Sequence, residues 1–368
     1  MKPEDLIIGS FSLPKVSVCP LIPPPPSSNV SFPKAQHLSW QLVKSSWGIS
    51  SGPLGTFRSP LEHVVREGEQ HNLVLDQAYD YIATYGLTPL VNFAVLSTGT
   101  DPITSSTTGL TGEFRRTNRD QTGATGTRTV TRISDGVYTV RLVREFLESE
   151  IAGRNITQWG FSPVGTSGNN LVVAEFFRDG QGNPVVITPE SDQRLRLIYT
   201  YQFSIGPVVA VSSSIDIAGL GTFLGKYVLT KSHGGFYSDY PDLVSTELAI
   251  TGLVINSGGS PPFEFYRHIY LNSVRLPVSY SDTSYDYRGD NLLAYKWPGL
   301  QPYVQGSRTR KTNPVTFLTN EANGTIRTIG LGPRYGGGFR FALDPGYDIV
   351  KDNLHKLTLG PFTVTWSP

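Results

Sequence analysis

The chain has 368 residues, with 31 lysines and arginines against 30 aspartates and glutamates, so its formal net charge is +1 at pH 7. A near-neutral chain lacks the basic field with which general nucleic-acid binders displace counterions, and we expect no nucleic-acid partner. The 38 glycines and 27 prolines indicate many turns, while a 38% hydrophobic content is sufficient to fill cores. The single cysteine excludes an intrachain disulfide and a cysteine-based zinc site.

The N-terminal region predicts an extended arm over residues 1–33. Its only apolar run, Leu6–Ile8, is too short for a signal peptide, and no run in the chain approaches the roughly 20 apolar residues that cross a bilayer, so we expect no membrane partner. Residues 14–33 are rich in proline and poor in charge, a composition typical of polyproline II. We predict that this arm lies along a neighbouring subunit; a solvated tail is the alternative.

One helix is predicted, over residues 72–85. Asn72 is the expected N-cap and Gly86 the expected stop. Apolar residues lie between them at helical spacing, at Leu75, Ala78, Tyr79 and Ile82.

Elsewhere, apolar β-branched and aromatic residues alternate with polar ones between turn signals, which is typical of strands. The segment 177–187 predicts a hairpin, because its Asp-Gly and Gly-Asn pairs tolerate positive φ angles. The fold class is therefore predicted to be mainly β, with hairpins that close into sandwiches. The clearest predicted strands are 130–133, 137–146, 171–177, 195–205 and 263–271.

An internal repeat predicts two related β-sandwich modules. The pattern Phe-Leu-x-x-Glu occurs at 146–150 and 317–321, and each copy is followed by Ile-x-x-apolar-Gly-apolar, at 156–161 and 326–331. A chance likeness between turn-rich segments is the alternative to duplication. The predicted domains are the arm at 1–33, a first module with the short helix at 34–206, and a second module at 207–368.

The repeat also makes two local predictions. Trp159 and Ile329 are expected at equivalent buried positions. Asp192 and Asp352 are expected to begin equivalent β runs downstream.

No residue is assigned a catalytic, cofactor-binding or metal-binding role. The histidines at 37, 63, 71, 233, 268 and 355 form no i, i+4 pair, and the glycine-rich segment 219–225 lacks phosphate-loop spacing. Cys19 lies in the proline-rich arm, where nothing in the sequence would activate its thiol. We therefore expect no enzymatic activity and no cofactor.

Two acidic groups provide alternatives to this expectation. Asp282, Asp286 and Asp290 could chelate calcium, but their spacing fits no EF-hand loop, and solvated acids are preferred. Glu148 and Glu150 could serve a glycan depolymerase, which requires two carboxylates facing each other across a cleft.

An aromatic-rich segment, residues 280–303, is the predicted contact surface for a partner protein. Tyrosine and tryptophan side chains supply rigid amphipathic area at interfaces. A glycan-binding site is the alternative for this segment. Its aromatic residues are Tyr280, Tyr285, Tyr287, Tyr295, Trp297 and Tyr303.

Residues 71–205 resemble structural proteins of tailed bacteriophages, the group labelled tail-fibre or neck proteins. The resemblance includes His71–Gln77, Glu113–Asn118 and Asn155–Phe161, and continues through the predicted hairpin. The remaining matching residues are Ile82–Thr84, Leu96–Thr100, Phe177–Thr188, Asp192, Leu195, Leu197 and Tyr199.

The resemblance implies a non-enzymatic structural component of the virion at the neck, collar or tail, assembled in the host cytoplasm. Its partners would be other virion proteins, among them neck, portal-proximal, tail and fibre proteins, and further copies of itself. A trimer is preferred, because three chains of two modules present six similar faces. A receptor- or glycan-binding tail-tip protein is the alternative function.

Overall fold

A computed structural model describes residues 7–11, 30–31, 36–52, 55–86, 89–217, 221–230, 268–276, 278–279, 291–332 and 338–366. As the sequence predicts, the described chain is mainly β. The first twelve strands are β1 (Ile7–Phe11), β2 (Val30–Ser31), β3 (Gln36–Gly52), β4 (Gly55–Gln70), β5 (Leu73–Val74), β6 (Phe93–Ser97), β7 (Glu113–Thr117), β8 (Thr129–Ser134), β9 (Val137–Phe146), β10 (Gln158–Ser162), β11 (Val173–Phe176) and β12 (Gln193–Ile205).

The first half of the chain forms a β-sandwich. One sheet has the order β4-β3-β12-β9-β8, with β2 also paired to β12, and the other has the order β5-β11-β10-β6-β7. The aromatic rings of Trp159 and Phe161 on β10 pack against Tyr199 on β12, and all three side chains are fully buried. These contacts join the two sheets face to face.

The second half repeats this two-sheet architecture, with shorter strands in the sheets opposite its main sheet. Its main sheet has the order β13-β14-β21-β20-β15-β16, and the smaller sheets are β1-β23-β18, β17-β24 and β19-β22. The strands are β13 (Val211–Ile217), β14 (Gly221–Thr230), β15 (His268–Asn272), β16 (Leu292–Lys296), β17 (Thr309–Lys311), β18 (Val315–Phe317), β19 (Gly324–Ile326), β20 (Thr328–Gly332), β21 (Gly338–Leu343), β22 (Ile349–Lys351), β23 (Lys356–Leu359) and β24 (Thr363–Thr365).

The predicted helix is present but begins later than expected. Helix α1 spans Asp76–Tyr85, and its N-cap is Leu75 rather than Asn72. The predicted start is wrong because residues 73–75 are extended. Leu73 and Val74 form β5, which pairs with β11, and the Leu75 amide donates to the Val172 oxygen. The predicted stop is confirmed, since Gly86 has φ 76° and its amide donates to Ile82. A one-turn helix, α2 (Glu148–Ile151), and a 3-10 turn at Pro89–Val91 were not predicted.

The predicted strands agree closely with the observed ones in the first half. β9 has the predicted bounds, β8 and β12 begin one or two residues earlier than predicted, and β11 is shorter than the predicted 171–177. The turn within 177–187 is confirmed: Arg178 and Pro184 bridge, and the Asp179 amide donates to the Asn183 oxygen. β15 begins at 268, while residues 263–267 lie outside the described part of the chain.

The central strands of the two halves repeat their pairings residue by residue. Trp159 faces Leu96 and Glu175, and Ile329 faces Leu271 and Phe341. Trp159 and Ile329 are both buried, as the repeat predicts. A β-bulge also occurs at the same place in both, at the end of β6 and at the end of β15.

The other sheet of each sandwich repeats as well. Phe146 faces Leu195 in the first half, and Phe317 faces Leu357 in the second. Counterparts on β12 and β23, such as Leu195 and Leu357, are therefore 162 residues apart. Leu354 is therefore the residue-by-residue counterpart of Asp192. Asp192 precedes β12 and Asp352 precedes β23, so the two aspartates introduce equivalent strands, as the repeat predicts, with an offset of two residues.

The connection between the two halves lies at the predicted boundary. The prediction that the halves are separate domains stays a prediction. β12 ends at Ile205, and the Gly206–Pro207 peptide bond is cis. One apolar core continues through both halves. β1 pairs with β23, and β2 pairs with β12, of the same chain. Since residues 12–29 lie outside the described part, the prediction that the arm contacts a neighbour stays a prediction.

Candidate interaction surface

The hairpin formed by β3 and β4 extends beyond the first sandwich. The two strands pair continuously from Leu38–Gln70 to Gly52–Gly55, but β12 accompanies β3 only as far as Lys44. Residues 45–52 therefore continue as a two-stranded ribbon about 27 Å long, at the strand rise of about 3.4 Å per residue. A two-stranded ribbon is marginally stable in water by itself. We call residues 45–62 the hairpin arm.

An apolar contact fixes the base of the hairpin to the sandwich core. Trp40 on β3 is 1% exposed and packs edge-on against Phe177, with ring centroids 5.9 Å apart. Its indole lies directly under Gly68 of β4, where a Cβ atom would come within 2.6 Å of the ring. The Arg66 guanidinium lies 5.4 Å from the centre of the same ring. The glycine thus allows β4 to cross over the tryptophan.

A chain of ion pairs holds the hairpin base on β12. Arg196 contacts Glu145 at 2.6 Å and Glu62, on β4, at 3.0 Å. Glu145 and Arg196 are both buried, and Lys44 on β3 contacts Asp192 at 2.6 Å. Buried ion pairs require defined geometry to offset their desolvation, so this network orients the hairpin arm relative to the sandwich.

The outer strand of the hairpin exposes apolar side chains. Leu61, Val64 and Val65 are 47%, 49% and 53% exposed. The pairing shifts between Leu42 and Val43, which leaves Val65 as the extra residue of a bulge. β4 is also the edge strand of its sheet among the described strands. The edge of this sheet thus exposes apolar side chains, as an assembly surface requires.

The sequence patterns did not predict this hairpin. The alternating apolar residues Leu38, Trp40 and Leu42, together with the glycines that flank Pro53, were the available signals. Prolines at 53 and 60 and several glycines argued against long strands. Pro60 is tolerated because it lies on the edge strand, opposite Trp47.

The carboxylates considered for glycan hydrolysis are held in ion pairs. Glu148 contacts Arg194 at 2.7 Å, and Glu150 contacts Arg119 at 2.8 Å and also Arg115. Burial raises the pKa of Glu150, but hydrogen bonds from Arg119 and the Leu147 amide outweigh it, and the pKa lies below its usual value. A general acid in glycoside hydrolysis needs the opposite shift.

A cleft of about 450 Å³ opens beside the hairpin base. It is lined by Glu69, His71, Glu175, Arg178 and Asp179, among others. Arg178 contacts Glu175 at 3.0 Å, and Asp179 accepts the Gln181 and Asn183 amides at 2.9 and 2.8 Å. Glu175, Arg178 and Asp179 therefore maintain the local turn.

The predicted aromatic surface is only partly described. Tyr295 and Trp297 are exposed, as a contact surface requires. Tyr303 instead contacts the first half of the chain, because its hydroxyl donates to Asp80 at 2.5 Å. Tyr280, Tyr285, Tyr287, Asp282, Asp286, Asp290 and Cys19 lie outside the described residues.

Comparisons with protein-family models, curated proteins and solved structures found no match. Within the described ranges, no group of three or more histidine, cysteine, aspartate or glutamate residues is arranged to hold a metal ion. The helices in that part of the chain are too short or too polar to span a membrane.

Proposed function

We propose that this protein is a non-enzymatic structural component of a tailed bacteriophage virion, located at the neck, collar or tail. It acts there as an oligomeric attachment or ring-building subunit. The observation that carries the proposal is the hairpin arm, whose residues 45–52 pair only with β4 among the described strands. A rigid sandwich with such a ribbon suits insertion between neighbouring subunits, where an added strand or side chain completes the sheet.

Two further features support an assembly role. The ion pairs of Arg196 give the hairpin arm a fixed direction before any partner binds. A preoriented arm loses less conformational entropy on association than a flexible one. The resemblance of residues 71–205 to phage neck and tail-fibre proteins supplies the virion context.

The first test measures assembly with the full-length chain. The hairpin arm is shortened by joining Ser45 to Glu62 through an Asn-Gly turn, which retains the paired base. We expect the unaltered chain to form a discrete oligomer in light scattering, and the shortened variant to be a folded monomer with a similar melting temperature. A monomeric unaltered chain, or a shortened variant of unchanged mass, would contradict the proposal.

The second test locates the chain in finished particles. Mass spectrometry of purified neck and tail fractions, followed by density mapping of the intact particle, should find it there at a fixed copy number. Absence from both fractions would overturn the virion assignment.

A receptor- or glycan-binding tail-tip protein is the second candidate. The exposed rings of Tyr295 and Trp297 favour it, since exposed aromatic faces stack on sugars. Binding of host polysaccharide that is lost on Trp297→Ala, with oligomer mass unchanged, would support this candidate over the first.

A further inference from the structure

An exposed apolar patch lies on the second sandwich. We define the apolar patch as Leu318, Val350 and Leu354, of which Val350 and Leu354 are 71% and 72% exposed. Lys351 joins the two segments that carry these residues, because its ammonium donates to Asn323 Oδ1 at 2.7 Å. Exposed apolar residues on segments that are held together in this way favour a protein contact site.

The repeat shows that the apolar patch is particular to the second sandwich. Counterparts lie 162 residues apart here, so Val350 corresponds to Thr188 and Leu354 to Asp192. In the first sandwich Asp192 pairs with Lys44, at the point where β3 leaves the sheet. Val350 and Leu354 therefore occupy, in the second sandwich, the positions that the Thr188 hydroxyl and the Asp192 carboxylate occupy in the first. The hairpin arm projects from this end of the first sandwich.

The charges around the two apolar surfaces favour a contact between unlike surfaces. The outer strand from Leu61 to Gln70 carries three glutamates and one arginine, a net charge of −2 with histidine neutral. The segments 318–324 and 350–356 together carry two lysines, one glutamate and one aspartate, a net charge of zero. Two outer strands therefore repel each other, whereas the neutral apolar patch does not repel an outer strand.

We infer that the apolar patch of one chain binds the outer strand of the hairpin, at Leu61, Val64 and Val65, of a second copy of the same chain. Both surfaces are exposed in the same chain, so neither covers the other within it. A contact between two different surfaces is head-to-tail, and it closes into a ring when the rotation between copies permits. This inference rests on the proposed function and specifies the contact that builds the oligomer.

A mixing experiment tests the contact and its polarity. Val64→Asp disables the hairpin surface and leaves the apolar patch intact, whereas Val350→Asp does the reverse. We expect each variant alone to be monomeric in light scattering. An equimolar mixture should form a 1:1 dimer, because one intact contact remains. Val209→Asp, at another exposed apolar residue, is the matched control and should retain the oligomer mass of the unaltered chain.

The outcomes separate this inference from the proposed function. If Val350→Asp retains the full oligomer, or if the mixture stays monomeric, the head-to-tail contact is wrong while an oligomeric building block remains. If the unaltered chain is monomeric, both fail.

A second measurement does not depend on the aspartate variants folding well. A chain with Cys19→Ser, Val64→Cys and Val350→Cys should give a ladder of interchain crosslinks with a bismaleimide, and each single-cysteine chain should give none. An absence of crosslinks in an oligomeric double-cysteine chain would overturn the inference.

Discussion

The indole nitrogen of Trp366 donates a 2.7 Å hydrogen bond to the main-chain oxygen of Tyr79, which precedes it by 287 residues. The Trp366 ring also stacks on Tyr303, with centroids 5.9 Å apart and planes 20° apart. The Arg308 guanidinium lies 4.3 Å from the centre of the Tyr79 ring. Helix α1 of the first sandwich is thereby attached to residues 303–308 and to Trp366, which follows β24, so the two halves stabilise each other.

Trp366→Phe is expected to destabilise the whole chain. The substitution keeps most of the buried ring but removes this donor from the Tyr79 oxygen, which retains its bond within helix α1, so the expected loss is that of one hydrogen bond, about 0.5–1.5 kcal/mol. Urea unfolding measured by circular dichroism should show the loss. Trp297→Phe, at an exposed tryptophan, is the control and should change the free energy of unfolding by less than about 0.5 kcal/mol. Equal effects of the two substitutions would contradict the role assigned to Trp366.

Gly160→Ala is expected to disturb the central sheet of the first sandwich. A Cβ atom at Gly160 would lie 2.8 Å from the Val173 oxygen, a main-chain atom that moves only with its strand. Overpacking of this kind costs about 1–3 kcal/mol. Gly180→Ala is the matched control, because nothing lies within 4 Å of its added Cβ. Thermal unfolding of the two variants should differ by several degrees, and no difference would refute the close approach.

The sequence predicted regular elements well where one physical signal dominated. β9 is rich in β-branched and aromatic residues, with buried side chains at every second position from Tyr138 to Phe146, and its bounds were predicted correctly. Helix α1 ends where Gly86 adopts a positive φ, a local property that sequence reveals. Its start depends on pairing of Leu73 with Ala174, a contact 101 residues away that local periodicity does not encode.

The interaction surface was harder to predict for a related reason. Gly48, Gly52, Gly55 and Pro60 are turn signals in isolation, yet the mutual pairing of β3 and β4 holds these residues in extended strands. The exposed state of Val64 and Val65 depends on a one-residue bulge, which changes the face on which following side chains lie. The repeat was visible in sequence, whereas the replacement of Asp192 by Leu354 needed the strand register.

Glu150 and Glu321 are repeat counterparts for which we predict unequal energetic roles. Each accepts the amide three residues earlier, at 2.9 Å from Leu147 and 2.7 Å from Leu318. The Glu150 side chain is only 9% exposed and is held by Arg119 and Arg115, whereas that of Glu321 is 33% exposed and contacts Lys296.

Glu150→Gln is therefore expected to cost about 1.5–3 kcal/mol, as for a hydrogen bond to a charged group. Glu321→Gln should cost less than about 1 kcal/mol, as for a solvent-screened ion pair. Denaturant unfolding of both variants at low and high salt checks the difference, and only the Glu321→Gln effect should largely vanish at high salt. A larger loss for Glu321→Gln would refute the ranking.

Tyr303 gives the fold a specific alkaline sensitivity. Burial, followed by the hydrogen bond to Asp80 and the charge of that carboxylate, raises the pKa of Tyr303 to about 12. The phenol of an unfolded chain titrates near a pKa of about 10. The folded state therefore holds this proton more tightly, so the associated stability is complete below about pH 10 and is lost as the pH rises to about 12.

Replacing Tyr303 by phenylalanine removes this titration while retaining the stacked ring. The free energy of unfolding of the unaltered chain should then fall more steeply between pH 10 and 12 than that of Tyr303→Phe. Tyr199 and Tyr201, whose pKa values burial also raises, contribute equally to both proteins and cancel in the comparison. The difference in tyrosinate absorbance between the two folded proteins should rise with a midpoint near pH 12. A midpoint near 10, with parallel stability curves, would mean that Tyr303 does not donate to Asp80 and that the two sandwiches are joined without this bond.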